Sequence, residues 1–364
     1  MPTKAPSIKS IEQRFTVIRT LVGVGIALLL ALLLISSVSD RPLEALWKFI
    51  ASPLSSTRLL GRIVEKAIPL LFTGVAVSIM FSCGQTNLAV EGAFYLSGIA
   101  CAAVATLPGM TYGIHPLLSI LAGGLCGMVI CLIPAVMNIR FNTMTVVSSL
   151  MINFICLYIG TYLLHYVMKD PSAGFDASYK YLDTARLPKM FGVTDIHYGL
   201  LIAIAVVVIG YIALYKSSWG LGIRMTGQNP ECCNFSGISV NAAILSSCAA
   251  GGFITGVGGA VEQLGMYKRY SYTGLPGYGW DGIMIAVLAQ NNPKLVPFAV
   301  LFLAYLRVGA DVVNQTMEVP VEIINIVQAI IIMFVAADRF LQGWKHRTIV
   351  KASGVSEAAS KAAQ

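Results

Sequence analysis

The feature that most constrains this chain is the recurrence of apolar stretches near the length of a membrane-crossing helix, roughly 20 residues at 1.5 Å per residue. Only 12% of its residues are charged and 56% are hydrophobic. A water-soluble globule of 364 residues has more polar surface than that. In a bilayer every backbone N–H and C=O must be satisfied within the protein. The expected fold class is therefore all-α, a polytopic membrane helix bundle. Ten segments follow from the apolar pattern: 17–38, 67–81, 88–107, 116–137, 145–167, 198–215, 242–261, 280–290, 295–309 and 319–337. The eighth is too short to span alone. It reads as a broken or re-entrant helix that borrows residues from the Gly-rich stretch before it.

Charge sets the expected orientation. The two ends are basic, with Lys4, Lys9, Arg14 and Arg19 at one and Arg339, Lys345, Arg347 and Lys351 at the other. An even number of spans puts both termini on one side, and that side is expected to be cytoplasmic. The organisation is then a cytoplasmic N-terminus (1–16), a transmembrane domain (17–340) and a cytoplasmic tail (341–364). Within the domain, 168–197 is an extracellular loop and 216–241 a cytoplasmic one. The stretch ending Ser37-Val38-Ser39 mimics a signal-peptide cleavage site, but it is read as a retained first helix. Residues 58, 62 and 66 are basic at four-residue spacing, which suggests an amphipathic lead-in along the interface.

Several chemistries lack their residues. The eight cysteines include no C-x-x-C pair and the four histidines are scattered, so no metal or redox site is expected. No G-x-x-x-x-G-K-[ST], H-E-x-x-H or G-x-S-x-G pattern occurs. Without a phosphate cradle the chain is not expected to be an enzyme, and energy must come from a partner or an ion gradient. The net charge of +8 is densest at the termini, as in membrane proteins, and does not point to nucleic acid. Gly123-x-x-x-Gly127 and Gly252-x-x-x-Gly256 offer small faces for close helix packing.

The loop around 219–238 carries the sharpest local signal. Asn229 suits an N-cap, Pro230 the first helical position, Glu231 the positive end of the dipole, and Gly237 the left-handed residue past the end. These bracket a two-turn helix at 230–236. A helix so short is marginal in water. It must dock, either on its own membrane domain or on a cytosolic partner.

The run Gly227-Gln-Asn-Pro-Glu-Cys-Cys-Asn-Phe-Ser-Gly-Ile238 resembles the coupling segment of bacterial ABC-importer permeases of the ribose/nucleoside branch. Gly84-Gln-Thr-Asn-Leu-Ala-Val-Glu-Gly92 and Gly277-Tyr-Gly-Trp-Asp-Gly282 are similar to two further signatures of that family, in order and spacing, across about residues 60–340. The match is nearest to the larger permease of nucleoside importers. The resemblance implies a second, non-identical permease chain, cytosolic ABC ATPases that hold ATP and Mg, and an extracellular substrate-binding lipoprotein, all at a bacterial plasma membrane. It makes Gly227, Asn229, Pro230, Glu231, Phe235 and Gly237 the contact with the ATPase. Family members often carry an acid at the start of the fifth span, where this chain has Met144-Thr145.

Candidate pathway or gate residues are Asn87, Glu91, Tyr95, Asn153, Trp280 and Asp281. The first three are four residues apart and are expected on one helical face. A carboxylate among apolar neighbours faces a partner or a wet cavity, so Glu91 either lines the pathway or caps and bridges helices. Asn153 bonds a substrate hydroxyl or a neighbouring helix. Arg307 and Asp311 are spaced as an ion pair. The expected function is half of a nucleoside pathway working by alternating access through neutral, hydrogen-bonding contacts. The alternatives are a ribose-like monosaccharide permease and an ion-coupled carrier using Glu91.

Overall fold

The computed structural model describes residues 41–190 and 194–317 throughout, and isolated positions between 29 and 36 and between 320 and 333. The expected segments 17–38 and 319–337 fall largely outside the described residues, as does the tail. The chain divides into two units, residues 1–52 with 309–364, and residues 53–308. Eleven α-helices are described: α1 Pro42–Ala51, α2 Thr57–Ser82, α3 Val90–Ala105, α4 Ile114–Phe141, α5 Thr145–Tyr162, α6 Gly199–Lys216, α7 Ser218–Gln228, α8 Pro230–Phe235, α9 Val240–Met266, α10 Tyr278–Leu288 and α11 Val296–Met317. A single π-turn, Leu163–Val167, extends α5. Among the described residues the only β pairing is two isolated bridges, Lys169 with Ser178 and Lys189 with His197.

Among the described residues six helices are long and apolar enough to cross a bilayer: α2, α4, α5 with its π-turn, α6, α9 and α11. α3 and α10 are apolar but short, about 24 and 16 Å at 1.5 Å per residue, so neither crosses a core of about 30 Å alone. The chain before each completes the depth. Residues 83–89 fold back beside the first turns of α5: Thr145 Oγ1 donates to Gln85 Oε1 (3.0 Å) and Leu88 N–H to Ser149 Oγ (3.1 Å). Residues 267–277 lead into α10 in the same irregular way. Backbone of this kind survives at membrane depth only where protein partners cover it, as they do here.

α2 corrects one expectation. Residues 58–66 are not a separate interfacial lead-in; they are the first turns of a continuous 26-residue helix, begun by Ser56, whose side chain caps Arg58 N–H at 3.3 Å. In those turns Glu65 is buried and Gly61 lies against Thr194, while Arg58 stays exposed and Arg62 and Lys66 are half-buried.

The centre of the second unit is a glycine seam. A Cβ on Gly127 would sit 2.5 Å from the Gly252 carbonyl oxygen, and one on Gly256 would collide with the Gly123 carbonyl. The two small-residue motifs therefore face each other, and α4 and α9 meet backbone to backbone.

Loop 168–197 closes one end of the bundle. Ser178 N–H donates to the Tyr270 carbonyl (2.9 Å), Leu182 N–H to Ala105 (3.2 Å) and Leu187 N–H to Leu264 (3.1 Å). Its own Ala177, Tyr181 and Ala185 are buried. Hydrogen bonds from Ser172, with Arg269 adding its charge, hold the Asp170 carboxyl below its usual range. Burial pushes the His197 imidazole down to about 4; its Nδ1 accepts from Gly199 N–H at 3.1 Å.

Candidate functional site

α7 and α8 occupy the opposite end, since α6 runs from the 168–197 loop to Lys216. α8 forms as its flanking residues dictate: the Asn229 side chain accepts from Cys232 N–H (3.1 Å), Pro230 opens the helix and Glu231 lies in its first turn. It ends one residue sooner than expected, at Phe235, with Ser236 as the cap and Gly237 at φ +76°. Ile238 N–H returns to the Cys233 carbonyl (2.9 Å), closing the end.

Of the two docking alternatives, the membrane domain supplies only one face. Cys233 is buried against Thr226, while Asn229, Pro230, Glu231, Cys232, Asn234 and Phe235 are exposed, Phe235 by 93%. Phe235 thus places an aromatic ring on the outward face of this six-residue helix. α7 is fixed beneath it, because Trp219 Nε1 donates to Ser246 Oγ of α9 at 2.9 Å. Gly227 lies so close to the turn at Ser82–Gly84 that a Cβ there would collide with the Ser82 carbonyl. Two of the three sequence motifs thus touch at this end.

The third motif meets the first deeper in the bundle. Glu91 is fully buried, and its carboxylate accepts from Gly277 N–H (2.6 Å), Gly279 N–H (2.6 Å) and Trp280 N–H (3.2 Å). These N–H groups surround the start of α10, whose N-cap residue, Gly277, offers no side chain. Gly277 takes φ +87°, which only glycine adopts freely, and so turns the chain to present its N–H. Of the two readings open for Glu91, the geometry is that of a helix cap supplied in trans. Bonds to a charged acceptor contribute about 1.5–3 kcal/mol each.

The neighbouring candidates are bonded in the same manner. Asn153 donates to the Leu88 carbonyl (3.0 Å) and accepts from Gly92 N–H (2.9 Å), satisfying the backbone where α3 begins. Asn87 donates to the Cys131 carbonyl (2.8 Å) and its Oδ1 accepts from Ala89 N–H (3.0 Å). It precedes the first residue of α3, Val90, so it does not share a helical face with Glu91 and Tyr95. Tyr95 is buried; its hydroxyl donates to the Tyr272 carbonyl (3.4 Å) and its carbonyl accepts from Tyr270 (3.1 Å). Trp280 is 41% exposed.

Asp281, in the first turn of α10, is ion-paired with Arg307. Arg307 therefore has a partner on another helix, which its spacing from Asp311 did not suggest. Arg307 also lies 5.4 Å over the Tyr278 ring. Glu262, buried in α9, accepts from the Tyr272 hydroxyl (3.1 Å), which lies 3.0 Å from that of Tyr267. Glu91, Glu262, Asp281 and Arg307 thus gather around the start of α10. The sequence reading, which expected neutral, hydrogen-bonding contacts, missed this cluster because its members come from four helices.

All eight cysteines are free, and Cys232 is the exposed one. Among the described residues no group of three or more His, Cys, Asp or Glu side chains is placed to hold a metal ion.

Comparison with known proteins agrees with the motif resemblance. The chain is 33% identical to the guanosine ABC transporter permease protein NupP of Bacillus subtilis over 78% of this chain and 83% of that protein. It is 29% identical to the glucose ABC transporter permease protein TsgB13 of Haloferax volcanii, covering 91% of this chain and 88% of that one. It is 25% identical to the nucleoside ABC transporter permease protein NupB of Lactococcus lactis, covering 94% and 96%. The family described as branched-chain amino acid transport system / permease component matches residues 59–336, and this multi-pass membrane chain belongs to that family of transport permeases.

Proposed function

We propose that this chain forms half of the translocation pathway of an ATP-binding-cassette importer for nucleosides and works by alternating access. The observation that carries the reading is α8, a capped six-residue helix with a 93% exposed Phe235 at the end of the bundle opposite the 168–197 loop. A cytosolic ATPase holding ATP and Mg would cover that helix and pull on it. A second, non-identical permease would complete the pathway, and a substrate-binding lipoprotein would deliver to the 168–197 end. Both termini and α8 are then cytoplasmic. The guanosine and nucleoside permeases among its relatives favour a nucleoside as cargo.

The fully bonded Glu91 carboxylate weighs against an ion-coupled carrier, because proton binding there would break the cap of α10. The kinship with a glucose permease keeps a monosaccharide as a second reading. The test is uptake into proteoliposomes holding both permeases, the ATPase and the binding protein, with labelled guanosine, uridine, ribose and glucose. The proposal expects nucleoside uptake that needs ATP and survives collapse of ion gradients. Uptake that continues with a hydrolysis-dead ATPase, or that stops when gradients collapse, refutes it. Sugar uptake alone would select the second reading.

A further inference from the structure

The first turn of α10 is held from two sides. Glu91 of α3 accepts from Gly277 N–H just before the helix and from Gly279 and Trp280 N–H in its first turn, and Arg307 of α11 pairs with its Asp281. The last turn is tied elsewhere: Ser82 Oγ donates to the Asn291 carbonyl just past α10, at 3.3 Å. Ser82 belongs to the turn on which Gly227 rests, two residues before Asn229 caps α8. A continuous line of direct contacts therefore runs from the exposed helix, through Gly227, the Ser82–Gly84 turn and α10, to Glu91.

From this arrangement we infer that Glu91 is a positioning residue that makes α10 and α3 move as one body, so that displacement of α8 shifts the middle of the bundle. The inference rests on the transport reading above. Three features argue that the joint is built for this. α10 has no cap of its own, so without Glu91 its first turn has unsatisfied donors in a buried setting. Gly279 has no Cβ, and one would collide with Glu91 N–H, so the sequence keeps the two backbones in contact. The bonds also use both carboxylate oxygens, Gly277 on Oε1 and Gly279 with Trp280 on Oε2. An amide cannot replace them, because its NH2 would face at least one N–H donor. A joint that only stabilised the fold would have no reason to sit on the line to α8.

The test uses the complete transporter in proteoliposomes. Glu91→Gln is compared with wild type for substrate moved per ATP hydrolysed. Thiol labelling of Val287→Cys, an exposed α10 position, is read at that residue by mass spectrometry with and without ATP. The expected result is retained ATP hydrolysis, with substrate moved per ATP down roughly tenfold, the size of one lost charge-assisted hydrogen bond. Labelling of Val287→Cys should then lose its dependence on ATP. An unchanged ratio with ATP-dependent labelling overturns the inference. If Glu91→Gln fails to assemble, Glu91→Asp keeps the charge but withdraws it by one methylene from the three N–H groups. A lowered ratio in that variant supports the inference, and a wild-type ratio overturns it. Wild-type transporter that takes up nothing with ATP would refute the transport reading instead.

Discussion

Removing one member of the Asp281–Arg307 pair should cost far more than removing both. The two side chains are 7% and 23% exposed and sit on different helices, so each is the other's compensation for leaving water. Leaving one buried charge alone costs about 3–5 kcal/mol, whereas replacing both by neutral groups of similar size is often close to neutral. Arg307→Met keeps the length of the side chain and Asp281→Asn its shape. At about 2–4 °C per kcal/mol for a unit of this size, each single variant should lower the thermal midpoint by roughly 6–20 °C. The double variant should recover most of that loss. Lost packing of Arg307 over Tyr278 (5.4 Å) sets a floor of about 0.5–1 kcal/mol that the double variant does not regain. The assay is fluorescence-detected gel filtration of heated, detergent-solubilised protein. Single variants as stable as wild type, or a double variant as unstable as the sum of the singles, would refute the argument.

Gly127→Leu should abolish folded yield in the same assay, because even its Cβ would lie 2.5 Å from the Gly252 carbonyl; normal yield would remove the seam from the account. His197 is held near 4 against an ordinary 6.5, so the unfolded chain takes up a proton below 6.5 that the folded chain refuses. Stability should therefore fall by about 2–3 kcal/mol between pH 7.5 and 4.5, and His197→Gln should flatten that part of the pH profile of the thermal midpoint. Asn229→Ala removes the bond to Cys232 N–H and should weaken α8 locally by about 1 kcal/mol. Hydrogen exchange at Asn234 and Phe235 would rise while the thermal midpoint stays put; a fall in the midpoint would mean that α8 is part of the core.

What could be read in advance was whatever depends on local chemistry. Asn229, Pro230 and Gly237 specify α8 to within one residue, because caps act on their immediate neighbours. The short apolar run near 280–290 announced a broken helix, since 11 helical residues reach only about 16 Å of a core of about 30 Å. α2 was cut ten residues short because Arg58, Arg62 and Lys66 lower the apolar signal of turns that bury Glu65 and Gly61 against other elements. Helices α1 and α7 escaped notice, being too short and mixed in polarity to stand out from the flanking spans. Glu91 was legible as a buried acid with a partner, but not which partner: Gly277 and Gly279 lie 186 and 188 residues away and act through backbone N–H groups, which leave no trace in side-chain pattern. Arg307 and Asp281 were hidden by the same distance, and helical spacing offered Asp311 as a nearer choice.

Cys232 offers the most direct measurement of the claim that α8 is gripped by a separate ATPase. It is exposed on that helix, whereas the other cysteines are buried or, for Cys126, half-buried. A bulky maleimide applied to inside-out vesicles should label Cys232 rapidly in the permease alone and at least roughly tenfold more slowly once the ATPase subunit is added, as a covered interface excludes the reagent. Labelling from the outer face of intact cells, or a rate the ATPase leaves unchanged, would contradict the account.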